Sequence, residues 1–101
     1  MGNSNSANTE FLKTVLEPLL DEFQYWFDCS CQMLENEKID FMSDYAQYNL
    51  LHRIKQAQEE LSAAKSLLRA TDGKVGIGMA VLMPWHQLIN ECWNVGMRFR
   101  R

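Results

Sequence analysis

Apolar residues return every three or four positions along three stretches of this chain, separated by two short breaks. In the first stretch Leu12, Leu16, Leu19, Phe23 and Trp26 step by 4, 3, 4 and 3, flanked by Val15, Leu20 and Phe27. That interval keeps one face of a 3.6-residue turn apolar and predicts a core-facing helix. The stripe continues to Met33 and Leu34, and Asn8 or Thr9 suits the N-cap. Pro18 lies inside it, which predicts a kink near Thr14–Pro18 or a restart there, because proline lacks the N–H and crowds the preceding turn.

The second stretch is the most regular. Leu50, Ile54, Ala57, Leu61, Ala64 and Leu68 step by 4, 3, 4, 3 and 4, with Leu51 and Leu67 beside them. Good helix formers fill the other faces. Ser43 or Asp44 can cap its start, and Asp44 with Gln47 makes a weak capping box. Thr71-Asp72-Gly73 ends it, with Gly73 suited to a left-handed terminus. The third stretch reads Val81, Trp85, Leu88, Cys92, Val95, Phe99. Pro84 fits the first helical position, or kinks a helix that starts nearer Met79.

The breaks fall at Asn36–Ser43 and Lys74–Gly78. Ile39, Phe41 and Met42 in the first, and Val75 and Ile77 in the second, are expected to fold back on the core; the alternation in the first also permits a short extended piece. Three amphipathic helices with short connections predict an all-α fold, an antiparallel three-helix bundle with two long helices and a shorter C-terminal helix. Residues 1–8, polar and without apolar period, are expected as a disordered tail, and 9–101 as a single helical domain. The first two helices, at about 26 residues each, outreach the third and leave part of their hairpin uncovered, which makes a homodimer reasonable.

Composition narrows the function classes. The net charge is −3 over 101 residues. A nucleic-acid partner is disfavoured, because phosphate neutralisation needs a basic excess. The charge is uneven: residues 1–49 carry two cations and nine anions, and residues 50–101 carry eight and four. Rim pairing between an acidic first helix and more basic neighbours accounts for that split. The longest uncharged run, Val75–Asn90, contains Pro84, His86 and Gln87 and falls short of the roughly 20 apolar residues of a span. The polar opening lacks a signal-like apolar run, so a reducing, cytoplasmic location is expected.

Candidate chemistry is sparse. Cys29 and Cys31 lie two apart, about 200° around a helix, and cannot share one metal ion. Cys92, His52 and His86 are isolated, far from the four ligands of structural zinc. His86 and Cys92 fall on different faces, which disfavours thiol–imidazole catalysis. The carboxylates at Asp21-Glu22, Glu35/Glu37 and Glu59-Glu60 lack the Glu-x-x-His pairing of bundle metal sites, and Glu59 and Glu60, off the apolar stripe, read as solvated. The glycines between Gly73 and Gly78 do not form a phosphate loop. No catalytic residue, cofactor or metal ligand is assigned.

What remains is aromatic and basic. Trp85 and Trp93 share roughly one face, either in the core or at a contact surface, and the chain closes on Arg98, Phe99, Arg100 and Arg101. Trp85, Trp93, Arg98 and Arg100 are the candidate partner-binding residues: tryptophan fills a partner's pocket while arginine pairs with rim carboxylates.

Phe11–Phe27 (FLKTVLEPLLDEFQYWF) and Ala70–Arg100, with Thr71-Asp72-Gly73, Pro84-Trp85-His86 and Glu91-Cys92-Trp93, carry a resemblance. The chain resembles a cyanobacterial family of small all-helical proteins of unknown function. The resemblance implies a cyanobacterial cytoplasmic protein and carries over no activity and no catalytic residue. The expectation is a non-enzymatic interaction module (an adaptor, assembly or regulatory factor) with a protein partner. The alternative is a helical bundle that carries a pigment or other cofactor.

Overall fold

The computed structural model describes the backbone over 2–71 and 77–100, and side chains from Thr14 onward. Three helices follow one another: α1 (Gly2–Asn36), α2 (Asp44–Ala70) and α3 (Met79–Phe99). They form an antiparallel three-helix bundle of two long helices and a shorter third. Phe23 of α1 meets Trp85 near the start of α3, and Arg98 near its end lies over Phe41, just past α1. α1 and α3 therefore run parallel, with α2 returning between them. The rod measures 57 × 22 × 20 Å.

α1 spans 35 residues and begins at Gly2, not at the Asn8 or Thr9 cap that the polar opening suggests. Serine and asparagine each cost a growing helix only a few tenths of a kcal/mol, so propagation passes over the polar residues expected as a tail. The helix also continues through Pro18 without restarting. The lost backbone bond there is offset by burial on both sides, of Leu16, Leu20 and Phe23.

The core stripe of α1 is Leu16, Leu20, Phe23, Phe27, Cys31 and Leu34. It is rotated from the predicted one, because Leu19 and Trp26 sit half-buried at its edge and Val15 is exposed. In α2 the predicted stripe holds: Leu50, Ile54, Ala57, Leu61 and Leu68 are buried and Ala64 packs against them. In α3 Trp85, Leu88 and Cys92 are buried as the period predicts, joined by Ile89, while Val81 is exposed.

Ser43 is the N-cap of α2, and its hydroxyl accepts from Ala46 N–H at 3.0 Å. Gln47 does not reach back to close a capping box. Its amide instead accepts from Ile39 N–H at 3.0 Å and donates to the Leu34 and Glu37 carbonyls at 2.9 and 2.7 Å. Those carbonyls end α1, so one side chain satisfies the groups that a helix terminus leaves open. Ile39 is fully buried, Phe41 and Met42 are half-buried, and the segment forms a turn. The Gly73 terminus and most of the Lys74–Gly78 connection lie outside the described residues; Ile77 packs on the core. α3 starts at Met79 behind Gly78, so Pro84 lies within the helix, not at its first position.

Ion pairs join the acidic helix to the basic one as the charge split predicts: Lys65–Asp21 at 2.6 Å and Lys55–Glu35 at 3.9 Å. Arg53–Glu91 links α2 to α3.

Candidate protein-contact groove

The four candidate residues divide three ways. Trp85 is 4% exposed. Its ring packs edge-on against Phe23, 6.5 Å between centroids, and its Nε1 points at Glu60 Oε1 across a long 3.5 Å. It is a core residue, and no partner can reach its ring; the contact role expected for it is corrected on that ground. Trp93 lies one step further around α3 from the buried Cys92 and is 42% exposed. Arg98 is engaged by its own fold, its guanidinium 4.3 Å above the Phe41 ring. Arg100 lies with Trp93 along a shared groove.

That groove runs between α1 and α3 and encloses about 280 Å³. Trp26, Cys29, Ser30 and Met33 line it from α1, and Cys92, Trp93, Gly96, Met97 and Arg100 from α3. The α1 set steps by 3, 1 and 3, and the α3 set by 1, 3, 1 and 3, which is what two helices contribute to a shared seam. Trp26 and Trp93 meet edge to face, 5.4 Å apart at 82°. Tyr25 stands against Trp26 at 5.1 Å and 80°. The wall is thus an aromatic ladder that stays open to solvent, with Tyr25 59% and Met97 67% exposed. A Cβ at Gly96 would meet nothing within 4 Å, so the missing side chain widens the groove.

Polar groups are few and satisfied. Ser30 and the Cys92 thiol lie at its floor, both buried. Burial pushes that thiol up, and the Ser30 hydroxyl offsets part of the shift. The Tyr25 phenol is raised above its ordinary value by its hydrogen bond to Cys29, with the nearby Arg100 cation acting against it. Among the described residues Arg100 has no carboxylate partner.

The period along α1 does not single out the Trp26–Met33 half of the groove. Trp26, Cys29 and Met33 are spaced 3 and 4 apart beside the main stripe. That spacing reads as a widened core belt until a third helix fails to cover it. Met97 likewise reads as one of several methionines. Met79 and Met83, one turn apart at the start of α3, form a second exposed apolar pair, with Val81 exposed on the other side of the helix.

Elsewhere the chemistry stays dispersed. Cys29 is exposed and Cys31 buried, as their 200° separation requires. Cys31 donates to Glu35 Oε1 at 2.8 Å, and burial with that carboxylate pushes the thiol up to about 11. His52 stacks on Tyr48, and His86 is exposed. Among the described residues no three His, Cys, Asp or Glu side chains gather to hold a metal ion. Among them, too, no helix is long and apolar enough to cross a membrane.

Fold and groove together define a small all-helical protein with an open aromatic seam. Its family follows from the sequence: residues 6–101 match the family described as Protein of unknown function (DUF2605), and the chain belongs to it. Comparison with curated proteins and with solved structures finds no match.

Proposed function

We propose that this protein is a non-enzymatic interaction module of the cyanobacterial cytoplasm, an adaptor, assembly or regulatory factor, and that it binds protein through the α1–α3 groove. The observation that carries this reading is the solvent-open wall of Trp26, Trp93 and Met97, which ends at Arg100. Contiguous apolar surface on a small domain marks contact sites. Tryptophan and arginine are the residues that concentrate binding energy at such contacts. The contact set is accordingly Trp93 and Arg100, joined by Trp26 and Met97, without Trp85 and Arg98.

The other reading, a bundle that carries a pigment or cofactor, has less support. Neither histidine lines the groove. An absorption spectrum of protein from the native host tests it.

Met97→Glu tests the interaction reading, with Glu59→Lys on the exposed face of α2 as control. Both positions are exposed, so both variants should keep the helical circular-dichroism signal of the wild type. Tagged chains are used to capture protein from a cyanobacterial lysate. A species recovered near-stoichiometrically by wild type and Glu59→Lys but lost with Met97→Glu supports the groove. Equal recovery with all three moves the contact elsewhere.

A further inference from the structure

We infer that a second copy of this chain closes the groove, packed antiparallel about a two-fold axis, with Glu22 of each chain facing Arg100 of the other. The inference rests on the reading of the groove as a protein contact and names the partner.

The α1 side of the groove extends one turn beyond its aromatic wall. Glu22 precedes Trp26 by four residues, Cys29 by seven and Met33 by eleven, so it stands on the same helical face. Because α1 and α3 run parallel, that turn lies toward the end where Phe23 meets Trp85. Arg100 lies toward the opposite end, eight residues beyond Cys92 along the chain. The face therefore reads acid, apolar strip, base from one end to the other.

Glu22 is exposed, and among the described residues neither it nor Arg100 has an ion-pair partner. Asp21, one position from Glu22, is taken by Lys65, and Arg98, two positions from Arg100, lies over Phe41. The fold uses the neighbours and leaves this pair outward.

A two-fold interface places the same patch on both sides, so the patch must complement itself. A strip of like charge fails that test in either orientation. A strip with opposite charges at its ends meets it in the antiparallel orientation: acid falls on base at both rims, and the aromatic walls meet in the middle. The two seams then form a four-helix layer, the arrangement that buries an open α1–α3 face most simply. A stable dimer covers about 800 Å² per partner, so the contact must continue past the charged ends of the strip along the side of the 57 × 22 Å rod.

The test is the oligomeric state of the full chain by analytical ultracentrifugation, for wild type, Glu22→Arg and Arg100→Glu. The wild type should be dimeric. Each charge reversal makes two like-charge contacts per dimer and should weaken association about tenfold or more. An equimolar mixture of the two variants should regain wild-type affinity, because one rim then carries Glu22 against Arg100 in the wild-type sense and the other carries the pair with reversed polarity. Both positions are exposed, and circular dichroism confirms that each variant is folded.

A monomeric wild type at several hundred micromolar overturns self-association, and leaves the groove as a contact for a different protein if Met97→Glu still loses its lysate partner. A dimer weakened by Met97→Glu but not by the reversals overturns the antiparallel pairing. A dimer indifferent to all three variants places the interface off the groove and overturns this inference, while the lysate capture with Met97→Glu still decides whether the groove binds a different protein.

Discussion

Arg53 grips Glu91 with two parallel bonds, Nη1 to Oε2 at 2.8 Å and Nη2 to Oε1 at 2.7 Å, which ties the middle third of α2 to the middle third of α3. Asn49 fixes the same guanidinium through Nε at 3.0 Å. The fork geometry makes this the best-defined ion pair between helices, although its side chains remain 42% and 49% exposed.

Glu91→Gln should therefore destabilise the fold by about 1 kcal/mol at most, the upper range for a solvent-screened pair. For a domain of this size that lowers the melting temperature by roughly 4–8 °C. The hydrogen bonds from Arg53, and secondarily its charge, hold the Glu91 carboxyl below its ordinary 4.5. A depressed carboxylate contributes stability above its unfolded value and loses it as pH falls through the folded one. Melting curves of wild type and Glu91→Gln should differ at pH 7 and converge well below pH 4.5. A gap that persists in acid would assign the difference to packing.

The three thiols should separate sharply in reactivity. Cys29 is exposed, whereas Cys31 and Cys92 are buried and both are pushed above the ordinary thiol value by desolvation. Thiolate is the reactive form, so alkylation of the folded protein at about pH 8 should modify Cys29 alone. In denaturant all three should react. Mass spectrometry of the folded sample checks this, and early labelling of Cys31 would contradict its placement against Glu35.

Trp85 and Trp93 should behave oppositely on truncation. Trp85→Ala removes a buried ring that touches Phe23 and should cost about 3–5 kcal/mol, a large part of the stability of a small domain. Trp93→Ala removes a half-exposed ring and should cost much less, roughly 1 kcal/mol, most of it from the Trp26 contact. Urea unfolding of the two variants distinguishes a core ring from a surface one.

Gly96→Ala should stabilise the protein. Gly96 lies inside α3, where glycine is about 0.5–1 kcal/mol worse than alanine, and the added methyl meets nothing within 4 Å. A rise of several degrees in melting temperature is expected. The gain should be read at concentrations low enough to keep the chain monomeric; where the second copy closes the groove, the methyl meets it and the gain should shrink or reverse.

The helices are legible in the sequence because a 3–4 period, sustained over five or six apolar positions, matches neither a strand nor a loop. α2 is the most legible, since Leu50 through Leu68 face only one core, although Leu67, read beside that stripe, is 51% exposed. The α1 stripe reads one position off because α1 touches α2, α3 and the 37–43 turn, and its apolar belt is wide enough to admit several registers. Trp85 and Trp93 are alike by type and differ only in angle. Eight residues at roughly 100° each leave them about 80° apart, enough to carry one ring into the core and the other to its edge. Gln47 is invisible for a different reason: its three partners are backbone groups of Leu34, Glu37 and Ile39, and no side-chain pattern records them.

Gln47 also has a kinetic meaning. It joins positions only 8 to 13 residues apart, so closing that loop costs little chain entropy. The α1–α2 hairpin can then zip outward from its turn, each helical layer shortening the search for the next. Contacts made in that order are local ones, and local contacts are what make helical chains fold fast. On that order α3 would dock on a surface already built, and the last step of assembly would be the one that creates the groove.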